Sequence, residues 1–334
     1  MSDLPRVYIT RRLPQSALDL LSQHVRATVW PGELPPPRAV LMKEVAQVDG
    51  VLALPADRID AALFDSAPHL QVVSNLGPDC DNVDMAAANR RGVLVATTPG
   101  ILAETTADFT FALMLAASRR VVEAEHVVRS GRWRSWGPEV LLGRDLHGAT
   151  LGIVGMGQVG QAVARRAAGF GMRVLFYTSH RRIEDEREDG PTYASLERLL
   201  AESDIVSLHC PINDETYQLI DRDALALMKP DAILVNTAHG LIVDTKALLE
   251  TLRHKAIVAA LDVTDPEPLP ADHPLLALPN VLVTPHIASA SVATRTRMAL
   301  LAAENLLEAL RGERPRHLVN VEAWQERMIS VGGA

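Results

Sequence analysis

Leu151-Gly152-Ile153-Val154-Gly155-Met156-Gly157-Gln158-Val159-Gly160 is the stretch on which the fold of this chain turns. An apolar run with the character of a buried strand passes straight into a GxGxxG turn, and residues 161–170 continue as a helical pattern. Glycines at these spacings let the backbone turn tightly and approach a pyrophosphate, and the helix N-terminus adds amide donors and a favourable dipole. A bare GxGxxG is also compatible with a turn that binds nothing. Here a strand precedes it, a helix follows it, and a second apolar run lies at Rossmann spacing over 173–177, so dinucleotide binding is the reading favoured.

That second run ends in Tyr177-Thr178-Ser179-His180-Arg181-Arg182. An acid at the position of Thr178 would accept hydrogen bonds from the adenosine ribose, whereas arginine nearby accommodates a 2′-phosphate. Hydroxyls on Thr178 and Ser179 with the guanidiniums of Arg181 and Arg182 favour NADP(H), with NAD(H) possible. The competing reading pairs both arginines with the acids of the charge run at 184–189, a solvated loop.

Working outward, β-rich runs recur at 7–10, 51–54, 72–75, 93–96, 205–208, 232–236, 257–261 and 281–284, many separated by amphipathic stretches. This alternation predicts an α/β fold of doubly wound parallel sheets with crossover helices. The longest helical pattern spans 104–129. Its first half is apolar on nearly every side (Phe109, Phe111, Leu113, Met114, Leu115), which predicts burial between domains or subunits. A helix over 292–311 closes the chain, Pro99-Gly100 is a plausible hinge, and Pro35-Pro36-Pro37 is a surface connection.

At 334 residues the chain has room for two cores, and a net charge of -8 argues against a broad nucleic-acid-binding surface. Cys80 and Cys210 lie far apart without metal-ligand spacing and read as reduced thiols. Without a membrane-spanning run or a signal pattern, the cytoplasm is the expected compartment and no membrane partner is expected.

The chemistry concentrates toward the C-terminus. Glu267 lies in Asp262-Val263-Thr264-Asp265-Pro266-Glu267-Pro268, and His286 in Thr284-Pro285-His286-Ile287-Ala288-Ser289. A histidine serves carbonyl reduction because its ordinary pKa lies near the working pH, and a glutamate on its other nitrogen fixes the tautomer. Between the fingerprint and this pair lies Asn236-Thr237-Ala238-His239-Gly240.

These motifs, with Ser74-Asn75-Leu76-Gly77, Asp81-Asn82-Val83-Asp84, Thr105-Thr106-Ala107-Asp108 and His209-Cys210-Pro211, resemble the D-isomer-specific 2-hydroxyacid dehydrogenase family over nearly the whole chain. Within it they are most similar to the glyoxylate/hydroxypyruvate reductase branch. The resemblance implies a flavodoxin-like substrate domain of residues 1–98 and 288–334 and an inserted Rossmann domain of residues 99–287. It also implies a homodimer joined largely through the long helix and the loop after it, which carries Trp133 and Trp136; in related reductases that loop can reach toward the partner's active site, and the alternative reading makes the two tryptophans ordinary dimer-core aromatics. By position it places Thr237 and Asp262 near the nicotinamide and Pro211 beside the adenosine. Thr106, Cys210, Thr216 and Ala288 complete the implied cofactor contacts, and Leu54, Gly77, Pro78 and Asp79 the substrate contacts.

Two departures bear on the reaction. His239 stands where the family has an arginine, whose planar fork grips a carboxylate through two hydrogen bonds. The loop usually reading Gly-Val-Gly is Gly77-Pro78-Asp79, in which Pro78 lacks a backbone donor and Asp79 adds a negative charge. Hydride transfer assisted by His286 and Glu267 is therefore expected on a small-molecule substrate other than a simple 2-oxo acid. The alternatives are weak glyoxylate or hydroxypyruvate reduction, with His239 as a poor arginine, and a vestigial nucleotide-binding regulator. Metal ligation by Asp79, His239, Glu267 and His286 is a minor possibility, and no metal is expected.

Overall fold

The computed structural model describes residues 4–179 and 190–332, and the chain divides into two compact units. The first comprises Met1–Leu102 with Ser291–Ala334, the second Ala103–Ala290.

In the first unit β1 (Arg6–Ile9), β2 (Arg26–Val29), β3 (Gly50–Ala53), β4 (Val72–Asn75) and β5 (Leu94–Ala96) form a parallel sheet in the order β2-β1-β3-β4-β5. Successive side chains alternate between two apolar cores, as the period of two demands. Val7, Ile9, Leu52, Val72 and Leu94 face one core, which they share with Ala17 and Leu21 of α1 (Gln15–Ser22) and Met298, Ala302 and Leu306 of α11 (Val292–Leu310). Tyr8, Val51, Ala53, Val73 and Val95 face the other, against α2 (Arg38–Val45), α3 (Ala61–Ser66) and α4 (Met85–Arg90).

The second unit holds seven parallel strands in the order β12-β11-β10-β9-β6-β7-β8. They are β6 (Thr150–Val154), β7 (Arg173–Tyr177), β8 (Thr192–Tyr193), β9 (Ile205–Leu208), β10 (Ile233–Asn236), β11 (Val258–Leu261) and β12 (Val281–Val283). Ile153, Phe176, Ile205 and Val235 pack toward α5 (Ala103–Ser118) and α7 (Gln158–Gly169). Leu175, Val206, Leu234 and Leu261 pack toward α8 (Leu196–Glu202), α9 (Arg222–Leu227) and α10 (Thr245–His254). Both units are thus doubly wound parallel sheets, as the alternation of strand and helix patterns predicts.

Several elements differ from expectation: the helix Val292–Leu310 does not close the chain, since a further helix, α12 (Val321–Gly332), follows it beyond the reach of the apolar pattern read from the sequence. The stretch 104–129 is not one helix but two, α5 and α6 (Val121–Arg129), and the longest helix among the described residues is α11, with 19 residues. Arg120 adopts φ 53°, outside the helical region, and the Ser118 carbonyl at the end of α5 accepts a hydrogen bond from Arg144 N–H at 2.8 Å. A contact from 26 residues away therefore ends the helix, and no local pattern announces it. Strands β2 and β8 also escape the sequence reading, because both are edge strands with largely solvent-facing side chains and little apolar signature. No helix among the described residues is long and apolar enough to cross a membrane.

Candidate active site

In the seven-stranded sheet the direction of winding reverses between β6 and β9, and ligands of such sheets bind beyond the carboxyl ends of the strands at that switch. Gly155 leaves β6 there with φ +99°, and a Cβ on it would lie 2.5 Å from the Cys210 nitrogen at the end of β9. A Cβ on Gly160 would lie 2.1 Å from the Gly155 carbonyl oxygen, so turn and helix approach as closely as backbones can. Around Gly157, by contrast, nothing lies within 4 Å of such a Cβ. Two glycines required by packing and one bordering open space at the start of α7 fit a pyrophosphate resting on the helix N-terminus.

The rest of the proposed cofactor set is spread over several elements. Met156 is buried beneath it, with Gln158 and Val159 beginning α7. Thr178 and Ser179 follow β7, next to β6, and the Gly155 N–H donates to the Tyr177 carbonyl at 2.8 Å. Arg181 and Arg182 lie outside the described residues. The Pro211 carbonyl accepts from the Thr216 hydroxyl at 2.6 Å, which closes an exposed turn. Burial pushes the Cys210 thiol up to about 11 and pulls the His209 imidazole down to about 3, so both are neutral near pH 7.

Strands β10, β11 and β12 are neighbours, and the loops at their carboxyl ends deliver the remaining groups. His286 follows β12 and Glu267 follows β11; His286 Nδ1 lies 2.6 Å from Glu267 Oε1. His286 has φ +54°, a left-handed conformation that a residue with a side chain keeps only when its surroundings hold it there. Burial alone would raise the Glu267 carboxyl. The hydrogen bond and charge of His286, the Thr264 N–H and the charge of His239 outweigh it, and the group sits below its ordinary value. His239 follows β10, where the Asn236 side chain donates to the His239 carbonyl at 2.8 Å and accepts from the Ala238 N–H at 3.0 Å. Beside it the Thr237 and Thr110 hydroxyls lie 3.0 Å apart, and Thr110 also donates to the Thr106 carbonyl at 2.8 Å. Asp262, 2 % exposed, accepts from Thr284, Ile287 and Ala288 and so underlies the His286 turn. Thr284, Thr264 and Asn236 carry no motif signal that would mark them as organising these loops.

The four substrate candidates of the first unit belong to loops after β3 and β4. The Leu54 N–H donates to Asp57 at 2.8 Å, and the Gly77 carbonyl accepts from the Thr98 N–H at 2.7 Å. Asn75 donates to the Asp79 carbonyl at 2.7 Å and pairs with Asn82, whose own amide holds the Leu54 carbonyl at 3.1 Å. Pro78 is half-buried and the Asp79 side chain exposed. Among the described residues no group of three or more His, Cys, Asp or Glu is arranged to hold a metal ion.

A carbonyl or alcohol chemistry with a dinucleotide is what these loops can support, and sequence comparison agrees. The profile of the "D-isomer specific 2-hydroxyacid dehydrogenase, NAD binding domain" matches residues 111–288. This chain belongs to the D-isomer-specific 2-hydroxyacid dehydrogenase family, oxidoreductases of CH–OH and C=O groups that use a nicotinamide cofactor. Among its relatives, a glyoxylate reductase of Korarchaeum cryptofilum is 50% identical over 325 residues, 97% of this chain and 98% of that protein. A Thermus thermophilus protein of solved structure is 50% identical, with TM-score 0.89 over 94% of this chain and 99% of its own. An NADPH-dependent glyoxylate/hydroxypyruvate reductase of Sinorhizobium meliloti, solved with NADP and malonate, is 30% identical, with TM-score 0.81 over 96% and 97%.

Proposed function

We propose that this enzyme is an NADP(H)-dependent carbonyl reductase with His286 as general acid, Glu267 as its orienting partner and His239 in place of the family arginine. The 2.6 Å contact between His286 Nδ1 and Glu267 Oε1 carries the reading. A carboxylate on Nδ1 fixes the proton there and stabilises the imidazolium, leaving Nε2–H to protonate the substrate oxygen. The amides of the 155–160 turn hold the pyrophosphate, and Thr178 and Ser179, with Arg181 and Arg182, receive the adenosine 2′-phosphate. Bound nicotinamide supplies the hydride.

A single imidazole offers one donor where the arginine fork offers two in a plane, so a simple 2-oxo acid is held poorly. Pro78 and Asp79, in the loop of the first unit that we assign to substrate, act in the same direction. A second reading, favoured by the name of the Korarchaeum relative, keeps glyoxylate as substrate with protonated His239 as the anchor. Exposed Val121, Val122 and Val128 on α6, which buries no residue, with Trp133 and Trp136 in the following loop, support a homodimer through this face.

Steady-state kinetics with glyoxylate, hydroxypyruvate and a panel of uncharged aldehydes and ketones test the assignment, run on wild type and on His286→Ala. We expect uncharged carbonyls to give the higher kcat/KM and His286→Ala to lower kcat about 100-fold or more. Glyoxylate turned over best would establish the second reading, and full activity in His286→Ala would remove the acid.

A further inference from the structure

We infer that Asp262 is a positioning residue for the acid: its carboxylate fastens the turn that carries His286, and it acts on the reaction through that turn. The inference rests on the proposed role of His286.

A carboxylate presents about four lone-pair sites. On Asp262 three are taken by this one turn. Oδ1 accepts from the Thr284 hydroxyl at 2.6 Å and from the Ile287 N–H at 2.9 Å, and Oδ2 accepts from the Ala288 N–H at 2.7 Å. The Asp262 carbonyl adds a fourth bond, from the His286 N–H at 2.9 Å. These donors bracket His286 on both sides, and His286 itself holds φ +54°. Asp262 is in turn fixed to the sheet, since its N–H donates to the Asn236 carbonyl at 2.9 Å. A rigid, 2 % exposed anion thus meets three donors of one short turn, and such charge-assisted bonds are short and strong. One lone-pair site remains on Oδ2, so the hold on the turn and the cofactor contact that the family resemblance assigns to this residue are separable by experiment.

Replacing the carboxylate by its isosteric amide isolates the effect. In Asp262→Asn one oxygen can still accept from Thr284 and Ile287, but the amide NH2 then faces the Ala288 N–H, donor against donor. The turn relaxes, and Nε2 of His286 loses its aim while the side chain itself remains.

A double-mutant cycle on kcat, at saturating cofactor and with the best carbonyl substrate found above, tests this. It uses Asp262→Asn, His286→Ala and the double variant, with NADPH dissociation constants from fluorescence and solvent isotope effects alongside. Asp262→Asn should lower kcat about tenfold or more when His286 is present, and less than about threefold in the His286→Ala background. The NADPH dissociation constant should change by less than about threefold, and the solvent isotope effect should rise as proton delivery becomes slower. Thr284→Val, which removes one of the three donors and leaves the carboxylate, should reproduce a smaller loss with the same dependence on His286. It carries the test if Asp262→Asn does not fold. Equal losses in both backgrounds, with NADPH binding weakened in step, would overturn the inference and return Asp262 to cofactor binding while leaving the acid assignment intact. An undiminished kcat in His286→Ala would overturn both.

Discussion

A Cβ on Gly240 would lie 2.1 Å from the Thr264 carbonyl oxygen and 2.2 Å from its carbon. Glycine is the residue that lets the His239 loop lie directly against the loop of Glu267, because the obstacle is backbone and cannot swing aside. The proximity is felt electrically as well, since the charge of His239 helps hold the Glu267 carboxyl below its ordinary value.

Gly240→Ala should accordingly separate the two loops. Overpacking against backbone typically costs about 1–3 kcal/mol, so thermal unfolding should show a lower Tm. Activity should fall more than stability does, because the displaced loops carry His239 and Glu267. A Gly240→Ala enzyme with wild-type Tm and wild-type kcat would mean that the contact has no consequence.

His209 gives a pH signature independent of catalysis. Its imidazole is half-buried with Nδ1 enclosed, shares a hydrogen bond with the Ser207 hydroxyl through Nε2 at 2.8 Å, and among the described residues has no partner at Nδ1. Burial lowers it from 6.5 to about 3, so between those values the unfolded chain takes up a proton that the folded chain refuses. Stability from this residue is therefore complete above the unfolded value and falls as pH drops below it, by up to about 1.4 kcal/mol per pH unit. Thermal melts from pH 7.5 to 4.5 should show His209→Gln with a shallower acid decline than wild type. Parallel declines would contradict the burial argument.

The cofactor preference rests on Thr178, Ser179, Arg181 and Arg182. Fluorescence titration should give a lower dissociation constant for NADPH than for NADH. Replacing both arginines by alanine should weaken NADPH by about tenfold or more and leave NADH within about twofold, because one ligand alone carries the extra phosphate. Equal weakening of the two would show that the arginines act on something the cofactors share.

For His239 the expectation concerns substrate. Losing a charge-assisted pair in a desolvated site costs on the order of 2–5 kcal/mol, equivalent to tens to thousands of fold in kcat/KM. His239→Arg should therefore raise kcat/KM for glyoxylate and hydroxypyruvate while leaving uncharged carbonyls unchanged or slower. Asp79→Gly should shift the same ratio in the same direction by removing a negative charge. If His239→Arg leaves glyoxylate kinetics untouched, the residue does not face the substrate carboxylate.

Much of this enzyme was legible without coordinates. The apolar run 151–154 followed by glycines at 155, 157 and 160 determined the strand, the turn and the helix, because those residue types satisfy a local geometry that few others can. Among the described residues, ten of the twelve strands announce themselves through β-branched and apolar runs, since parallel strands buried on both faces need continuous hydrophobicity. The departures from the family pattern at His239, Pro78 and Asp79, on which the substrate proposal rests, are also visible in the sequence, since each changes a donor or a charge whatever its surroundings. Only the tertiary structure decided the rest. The Arg144 N–H ends α5 at Ser118, the Thr264 carbonyl makes Gly240 obligatory, and Thr284, Ile287 and Ala288 converge on Asp262. Each of these is a hydrogen bond or a close approach between segments about 20 or more residues apart, and local propensity and periodicity carry no record of which distant atom will arrive.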